Sequence, residues 1–589
     1  MESAHAREKV GRLPPILRAS MRAGAPSGRK AADVEFNLAD LFESVVDTVP
    51  GSTAMVTSER RISYAELDER SNRLAHHLIG AGIEPGDRVG IQLANGSEYI
   101  ETMLACFKIR AIPVNVNYRY VASELRYLFG DAGLVGLVFH RRFAPQIGEA
   151  LGAVGGMRAL LEVADGEVPS DRVASAGDYE ATLSASDPGR RFDTRSADDL
   201  YCVYTGGTTG MPKGVLWRHE DIFFAAMGGG DPFSFGNFIS EPGQLASRVL
   251  PTGSGIKALA IPPFMHAAGH WLAFSNMFGG GTIVTLPQGR FDPVEAWRLV
   301  EEESVNAVVV VGDAIARPLL DVLAAEPGRF DLSSLLAVGS GGAVLSPSTK
   351  RQLAELLPGK IIADLFGSSE TGQVGGQAPE GDPFGSPRLR VDERTNVLDD
   401  GLHPVVPGSG TIGRLARTGH VPVAYLGDPE KTALTFVEAE GRRWSLPGDM
   451  ATVEEDGTIV IFGRGSLSIN TGGEKVFPDE VESTLKSHDE VLDAIVVGLP
   501  DERFGEKVCA VVQVREGRSI DLETVREYCR DKLTGYKIPR SIVVVPEITR
   551  SPSGKADYPW AKRVAQAAFA EEAPMDSGEA QSIAGEVRP

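Results

Sequence analysis

The apolar residues of this chain recur with two different periods, and the two patterns alternate from Leu38 onward. Within Tyr64–Gly80, the leucines at 67, 74 and 78 fall on one face of a helix among charged neighbours. Short apolar runs of strand length follow, separated by further helical patterns. The strand-like runs are Asp87–Leu93, Ile112–Val116, Gly136–Phe139, Thr282–Leu286, Val305–Val311 and Leu335–Val338, and the helical ones include Glu98–Ile109 and Pro293–Glu303. This alternation predicts an α/β fold with sheets of parallel strands covered by helices.

The pattern changes after Gly463, and about 100 residues follow that are enough for a separate small α+β domain. Pro478 opens a helix, since a proline at the first helical position lacks only an N–H that would be unpaired anyway. Three strands and a second helix are predicted after it, at Ala494–Leu499, Val508–Val514, Ser541–Val545 and Leu522–Lys532. We place the joint near Arg464–Ser468, where Gly465 and Ser466 can absorb a change in backbone dihedrals.

The predicted organisation is therefore a large N-terminal domain of helix-covered mixed sheets and a small mobile C-terminal domain. We assign residues 1–35 to a disordered basic leader and residues 564–589 to a disordered tail. Residues 36–464 form the large domain and residues 465–563 the small one.

Composition narrows the class of protein. Lys and Arg total 59 against 80 Asp and Glu in 589 residues, so the net charge of −21 argues against nucleic acid as a partner. The four cysteines are scattered without a CxxC pair, which favours neither a zinc site nor a disulfide framework and fits the cytoplasm. No apolar run approaches the roughly 20 residues that span a bilayer.

The most informative stretch is the glycine- and threonine-rich run Tyr204–Gly214, which follows a strand-like segment. Backbone N–H groups at glycines can approach an anion closely, threonine hydroxyls add donors, and a lysine adds positive charge. The residues concerned are Thr205, Gly206, Gly207, Thr208, Thr209, Gly210 and Lys213. A Walker A loop is disfavoured because Lys213 lies between Pro212 and Gly214 rather than before Ser or Thr at a helix start.

This run resembles the phosphate loop of the adenylate-forming superfamily, which includes acyl-CoA synthetases, luciferases and peptide-synthetase adenylation domains. Phe366-Gly367-Ser368-Ser369-Glu370 is similar to that family's Tyr-Gly-x-Thr-Glu element, and Gly341-Gly342-Ala343 to its adenine and acyl segment. Pro447-Gly448-Asp449 departs from the family's Thr-Gly-Asp at its first residue. The resemblance implies that Phe366 stacks on adenine, that Ser369 contacts the α-phosphate, and that Asp449 and Arg464 bind the ribose.

The same resemblance implies the remaining site residues. Glu370, with Thr205, would hold Mg²⁺, and Lys213 would face the β- and γ-phosphates, while Gly367 and Asp364 complete the ATP set. Lys555, in Ser553-Gly554-Lys555, matches the family's mobile catalytic lysine. His266, in Pro263-Phe264-Met265-His266, is implied to be an acyl-pocket residue. The channel for the acyl group and the thiol is implied to include Gly269, Gly312, Gly341, Gly472 and Gly473.

These assignments imply an enzyme that joins a carboxylic acid to AMP and then to a thiol. Only 34 residues follow Lys555 (589 − 555), fewer than a carrier domain needs, so coenzyme A is the expected acceptor. An acyl-AMP ligase serving a separate carrier protein, and a non-catalytic regulator that binds nucleotide and acyl ligands, stay open as alternatives. The oligomeric state also stays open, a homodimer included.

Further segments narrow the resemblance to actinobacterial acyl-CoA synthetases that activate steroid side chains. They are Asn115–Tyr120, Trp217–Asp221, Val311–Leu319, Gly465–Asn470 and Asp557–Lys562. The resemblance implies a bulky apolar acid, either derived from a sterol side chain or a medium- or long-chain fatty acid. Small residues near the expected pocket, such as Ala267 and Ala268, are compatible with a wide cavity.

Overall fold

The computed structural model describes residues 35–152, 155–166, 173, 175–207, 210–231, 237–249, 255–289, 291–343, 345–376, 388–471, 474–501, 503–550 and 555–570. Most of the predicted leader and tail, and the predicted site residues Thr208, Thr209, Gly472 and Gly473, lie outside these ranges. By its internal contacts the chain divides into a larger unit, which ends at Phe462 and also includes Lys555, and a smaller unit, which begins at Gly463.

The helices of the described residues alternate with strands in most of the larger unit. They are α1 (Leu38–Thr48), α2 (Tyr64–Gly80), α3 (Ser97–Lys108), α4 (Ala122–Ala132), α5 (Ala144–Leu151), α6 (Tyr179–Ser184), α7 (His219–Ala226), α8 (Gln244–Arg248), α9 (Ala267–Phe278), α10 (Pro293–Glu302), α11 (Gly312–Ala325), α12 (Pro347–Leu356), α13 (Pro429–Thr435), α14 (Pro478–Lys486), α15 (Leu522–Arg530) and α16 (Tyr558–Ala570).

The strands form four sheets. In chain order they are β1 (Thr53–Val56), β2 (Arg61–Ser63), β3 (Arg88–Gln92), β4 (Ile112–Asn115), β5 (Leu134–His140), β6 (Ala159–Val163), β7 (Gly177–Asp178), β8 (Leu200–Gly207), β9 (Gly210–Arg218), β10 (Lys257–Ala260), β11 (Thr282–Thr285), β12 (Ala307–Val310), β13 (Ala337–Gly341), β14 (Ile361–Ser368), β15 (Gly372–Gly376), β16 (Arg388–Arg390), β17 (Thr395–Leu398), β18 (Gly413–Thr418), β19 (Ala424–Tyr425), β20 (Phe436–Ala439), β21 (Arg442–Ser445), β22 (Asp449–Val453), β23 (Thr458–Arg464), β24 (Ile469–Thr471), β25 (Glu474–Val476), β26 (Val491–Asp501), β27 (Gly505–Val514) and β28 (Ser541–Val545).

Two sheets of the larger unit have the parallel centre that the apolar pattern predicts. One has the order β15-β14-β13-β12-β10-β11-β1-β2, with parallel pairing from β14 to β1 and antiparallel strands at both edges. The other has the order β19-β9-β8-β4-β3-β5-β6-β7, in which only β9 and β19 run antiparallel to their neighbours. The prediction of an α/β fold with mixed sheets is confirmed.

The helical face read from the sequence is the buried face of α2. Its side chains at Leu67, Leu74 and Leu78 are fully buried in a core cluster shared with α1 and α3. The Ser63 side chain accepts the backbone N–H of Glu66 at 3.1 Å, which satisfies one of the N–H groups left unpaired at a helix start. The buried leucines and the Ser63 cap are therefore both consistent with a helix that begins at Tyr64.

The smaller unit has a five-stranded sheet in which β25, β24, β27 and β26 are neighbours and β28 pairs in parallel with β27. Its interior consists of apolar side chains on both faces of this sheet, among them Val496 and Val511. One boundary differs from the prediction. Residues 564–570, assigned to the disordered tail, belong to α16, because Ala561 and Ala565 of that helix are fully buried against the sheet.

Most predicted elements are found with end points that differ by a few residues. The helix Tyr64–Gly80 and the strand Ser541–Val545 have the predicted bounds, whereas the strand predicted at Ala494–Leu499 is longer. No helix among the described residues is long and apolar enough to cross a membrane.

Candidate active site

The described residues of the phosphate run belong to two antiparallel strands, the end of β8 and the start of β9, which together are called the phosphate hairpin. Thr205 pairs with Lys213 across the two strands, and Gly207 pairs with Gly210 at their ends. The Lys213 ammonium lies 2.5 Å from the Asp428 carboxylate, and both side chains are partly exposed. The hairpin therefore presents its lysine at the surface of the larger unit, with an anionic partner that the sequence motifs did not identify.

Asp428 also forms the N-cap of α13, where its side chain accepts the backbone N–H of Lys431 at 3.0 Å. Burial raises the pKa of the Asp428 carboxyl, but the hydrogen bonds from Lys213 and from this N–H, with the charges of both lysines, bring it below its ordinary value. The carboxylate is thus ionised at neutral pH and competes with any anionic ligand for Lys213.

The acidic motif is attached to the same hairpin. The Trp217 indole donates to the carbonyl of Ser369 at 3.0 Å, and the Tyr425 hydroxyl donates to Oε1 of Glu370 at 2.9 Å. Tyr425 itself pairs with Val215 of β9. Two independent contacts therefore hold Glu370 beside the hairpin that carries Lys213.

The ribose-binding candidate follows a strand that contacts the acidic motif. Ser445, at the end of β21, donates to the backbone carbonyl of Glu370 at 2.6 Å. Asp449 begins β22 four residues later and is 8% exposed. Phe366 is partly buried against a neighbouring apolar cluster that includes Ile459. Phe366, Asp449 and Glu370 thus belong to connected segments of the larger unit, and their individual roles stay predictions.

His266 lies where the two parallel sheets of the larger unit are joined. Asn95, just beyond β3, accepts the backbone N–H of Phe264 at 2.6 Å. Asn115, at the end of β4, donates to the carbonyls of Met265 at 2.7 Å and Tyr204 at 2.8 Å. Asn115 therefore connects the segment before His266 to the strand that leads into the phosphate hairpin.

The glycines predicted to line the acyl site differ in their surroundings. A methyl group at Gly341 would come no closer than 3.9 Å to another atom, the Cβ of Ala268. A methyl at Gly269 would lie 2.4 Å from the carbonyl oxygen of Pro263. A methyl group would thus fit at Gly341 in ordinary contact, whereas close packing explains the glycine at 269, and the place of both residues in the acyl channel stays a prediction.

Three other predicted residues have structural partners. Asp364 is buried, with its carboxylate 2.5 Å from the Lys350 ammonium and hydrogen-bonded to the backbone N–H of Leu345. Gly312 donates its N–H to the Ser340 hydroxyl at 2.9 Å, which holds the start of α11 against the end of β13. Gly342 has a φ of +85°, a conformation that favours glycine.

In the smaller unit, Arg464 ends β23 and is partly exposed. Lys555 is exposed and immediately precedes Ala556. By its internal contacts this lysine belongs to the larger unit.

The sequence motifs did not identify Asp428 and Tyr425 as partners of Lys213 and Glu370. Asp428 precedes Pro429, so its helix-capping role could have been recognised, since an acid before a proline marks a helix start. Their neighbours in the sequence do not indicate these partners, because Lys213 lies 215 positions from Asp428 and Glu370 lies 55 positions from Tyr425.

Comparisons with known proteins show the family of this chain. Residues 42–420 match the family model of AMP-binding enzymes, and residues 480–555 match the model of the AMP-binding enzyme C-terminal domain. A 3-oxocholest-4-en-26-oate–CoA ligase of Rhodococcus rhodochrous is 47% identical over 534 residues, which are 89% of this chain and 95% of that protein.

A Mycobacterium tuberculosis protein named as a medium/long-chain-fatty-acid–CoA and 3-oxocholest-4-en-26-oate–CoA ligase is 45% identical over 540 residues, 91% of this chain and 97% of that protein. Among solved structures, the anthranilate CoA ligase AuaEII in complex with anthranoyl-AMP aligns with a TM-score of 0.78. The alignment covers 92% of this chain and 100% of the AuaEII chain. At 23% identity, this similarity supports the fold alone.

Proposed function

This chain belongs to the AMP-binding enzyme family, and from that premise we propose that it is an acid–thiol ligase that forms acyl-CoA, AMP and diphosphate from a carboxylic acid, ATP and coenzyme A. One observation carries the site assignment. Tyr425 pairs with β9 of the phosphate hairpin and at the same time donates a hydrogen bond to the carboxylate of Glu370. An acid suited to a hard cation thus lies beside a glycine-rich anion loop.

The chemistry requires that a carboxylate, which is a poor acylating agent, gain a good leaving group. In the first step a carboxylate oxygen attacks the α-phosphorus of ATP, the bond to the β-phosphate oxygen breaks, and diphosphate leaves. In the second step the thiol of coenzyme A attacks the carbonyl carbon, and AMP leaves. The barrier of the first step is mainly charge repulsion, because an anion approaches a polyanion.

The residues of this chain would reduce that repulsion. Lys213 and the backbone N–H groups of the hairpin would bind the β- and γ-phosphates, and Lys555 would neutralise charge at the reacting phosphorus. Asp449 and Arg464 would hold the ribose. His266 would border the acyl group, because the segment before it is tied through Asn115 to the strand leading into the hairpin.

Mg²⁺ is implied by the family and is compatible with the residues present. Among the described residues no group of three or more His, Cys, Asp or Glu could hold a metal ion. This fits Mg²⁺, which is usually bound by one or two carboxylates together with substrate phosphates. Glu370 would supply the carboxylate, and the ion would add positive charge at the phosphates.

For the acid, we propose a bulky apolar substrate, either a steroid side-chain acid or a medium- or long-chain fatty acid. The two relatives described above are named for such acids. We also propose that the enzyme works in the cytoplasm, since all four cysteines are free and buried, as expected in a reducing compartment.

The test is an assay of diphosphate and AMP release with purified protein, ATP and Mg²⁺, across a steroid side-chain acid, medium- and long-chain fatty acids and small aromatic acids. We expect diphosphate release with the large apolar acids and acyl-CoA only when coenzyme A is added. Preference for small aromatic acids would contradict the substrate proposal. Release of AMP with an acyl carrier protein but not with coenzyme A would favour the acyl-AMP ligase, and binding of nucleotide without turnover would favour the regulator.

A further inference from the structure

The backbone on either side of Lys555 is fixed to the smaller unit. Arg550 and Ala556 pair as an isolated antiparallel bridge, so Lys555 directly precedes a residue that is hydrogen-bonded across a loop. Both partners of this bridge belong to the smaller unit by internal contacts. Arg550 and Ala556, which lie on either side of Lys555 in the sequence, are therefore paired with each other within the smaller unit.

On the N-terminal side, the Arg550 guanidinium binds the Asp493 carboxylate through two nitrogens. Its Nε lies 2.8 Å from Oδ2, and a terminal nitrogen lies 2.6 Å from Oδ1. Burial raises the pKa of Asp493, but the positive charges of Lys486 and Arg550 and the hydrogen bonds bring it below its ordinary value, so the carboxylate is ionised. A bidentate pair of this kind restricts direction as well as distance. Asp493 belongs to β26, which pairs along its length with β27.

On the C-terminal side, the Tyr558 hydroxyl donates to Oδ1 of Asp479 at 3.1 Å. Tyr558 is the first residue of α16, and Asp479 lies in the first turn of α14. Burial and the nearby carboxylates of Glu482 and Asp479 raise the pKa of Tyr558 well above its ordinary value, so its hydroxyl stays a donor at physiological pH.

Asp479 is also in contact with the start of the smaller unit. A methyl group placed on Gly463 would lie 2.1 Å from Oδ2 of Asp479, and the φ of Gly463 is +114°. The carboxylate is thus packed against backbone at the residue where the smaller unit begins. Through its hydrogen bond to Tyr558, Asp479 holds the start of α16, three residues after Lys555, at a fixed position relative to Gly463.

We propose that Arg550–Asp493 and Tyr558–Asp479 are positioning pairs that orient Lys555 for the adenylation step. This rests on the proposed function. Each pair holds one flank of the lysine's segment, so a small loss of either anchor displaces the ammonium from the reacting phosphorus without changing any group that touches substrate. Misplacement of a reacting or stabilising group by a fraction of an ångström to 1 Å is costly in rate.

The test is a double-mutant cycle on the adenylation half-reaction, measured as diphosphate release in single turnovers. Tyr558→Phe removes one hydroxyl and keeps the ring, and we expect adenylation to fall about three- to tenfold, the value of one hydrogen bond. In the Lys555→Ala background the same substitution should have no further effect, because the group that it positions is gone. Thioester formation from supplied acyl-adenylate should stay within about twofold of the parent enzyme.

Tyr528→Phe is the matched control. The Tyr528 hydroxyl donates to the backbone carbonyl of Ser487 at 2.8 Å in the same unit, away from the segment of Lys555. Its loss should leave adenylation unchanged. Arg550→Lys is the second variant, which keeps the charge but loses the bidentate geometry, and it should lower adenylation with the same dependence on Lys555.

An equal loss from Tyr558→Phe in the presence and absence of Lys555, or no loss at all from both variants, overturns the positioning role. A loss in both half-reactions, accompanied by a lower melting temperature, assigns the two pairs to folding alone and overturns it as well. If Lys555→Ala itself leaves adenylation intact, the proposed function of the lysine fails, which is a different outcome from failure of the pairs.

Discussion

At the scale of the residue, two polar side chains of the candidate site have partners within the protein. Lys213 is paired with Asp428, and Glu370 accepts from Tyr425. A phosphate that binds Lys213 must displace a carboxylate, whereas the Tyr425 hydroxyl leaves the second oxygen of Glu370 available to a cation. The two contacts therefore have opposite consequences: one competes with substrate, and the other orients a ligand.

Replacing Asp428 with Asn should strengthen ATP binding. The substitution removes the competing charge, while Asn still caps α13 well. Because the pair with Lys213 is partly exposed, the effect should be modest, about a two- to fivefold lower KM for ATP. Steady-state diphosphate release at varied ATP measures it, with Asp428→Glu as the control that keeps the charge. A higher KM in the Asn variant would show that Asp428 assists the nucleotide instead.

At the scale of the element, two glycines of similar appearance in the sequence have different reasons to be glycine. Gly269, in α9, is pressed against the backbone of the segment that leads to His266, whereas a methyl group at Gly341, at the end of β13, would make only ordinary contact with Ala268. The family resemblance implied that both are channel residues. The two glycines differ because another backbone segment lies against Gly269 and not against Gly341.

Gly269→Ala should destabilise the larger unit by about 1–3 kcal/mol, because the new methyl would overlap the Pro263 carbonyl. It should also raise the KM for the acid, since the displaced segment carries His266. Thermal unfolding and steady-state kinetics check both effects. Gly148→Ala is the control, since that glycine is also helical and its methyl would meet nothing within 4 Å. If the two variants melt alike, the packing explanation for Gly269 is wrong.

A second prediction at this scale concerns Glu482 of α14, which is 5% exposed and accepts the backbone N–H of Val496. Burial raises the pKa of Glu482 to about 7, with Asp479 raising it further and Lys486 lowering it. The folded state therefore holds the proton more tightly than the unfolded chain, and stability is lost as pH rises from about 4.5 to 7.

Glu482→Gln should remove that dependence, since glutamine is neutral at every pH and still accepts from Val496. We expect the variant to be about as stable as the parent at pH 5 and more stable by about 1–3 kcal/mol at pH 8. Hydrogen exchange along β26, measured at both pH values, reports on the smaller unit specifically. Equal stabilisation at pH 5 and pH 8 would contradict the assignment of the pKa shift to Glu482.

At the scale of the whole molecule, the proposed reaction distributes its positive charge over both ends of the chain. Lys213 lies in the hairpin of the larger unit, and the flanks of Lys555 belong to the smaller one. A lysine whose flanking residues belong to a separate unit can serve one half-reaction and be withdrawn for the other, because the second step needs no neutralisation of an approaching carboxylate.

Lys555→Ala should therefore separate the two half-reactions. By analogy with the loss of a single transition-state donor, adenylation should fall about 10²–10³-fold. Thioester formation from supplied acyl-adenylate and coenzyme A should be largely intact. Pre-steady-state measurements of each step check this, and an equal loss in both would contradict the division of labour.

The sequence by itself determined the elements and the fold class, because burial periodicity and capping are local and repeat within a few residues. It indicated the boundaries of α2 and β28, the parallel centre of two sheets, and the motifs around Lys213, Glu370 and Asp449. The family's motifs also named most candidate residues, although their roles stay predictions.

Tertiary structure alone decided which polar groups meet. The contacts of Asp428 with Lys213, of Tyr425 with Glu370, and of Asp493 with Arg550 join residues 215, 55 and 57 positions apart. Such partners depend on strand order and register, which set distances between segments that share no local pattern. For the same reason, the sequence could not show that a methyl group would overlap the backbone at Gly269 but fit at Gly341.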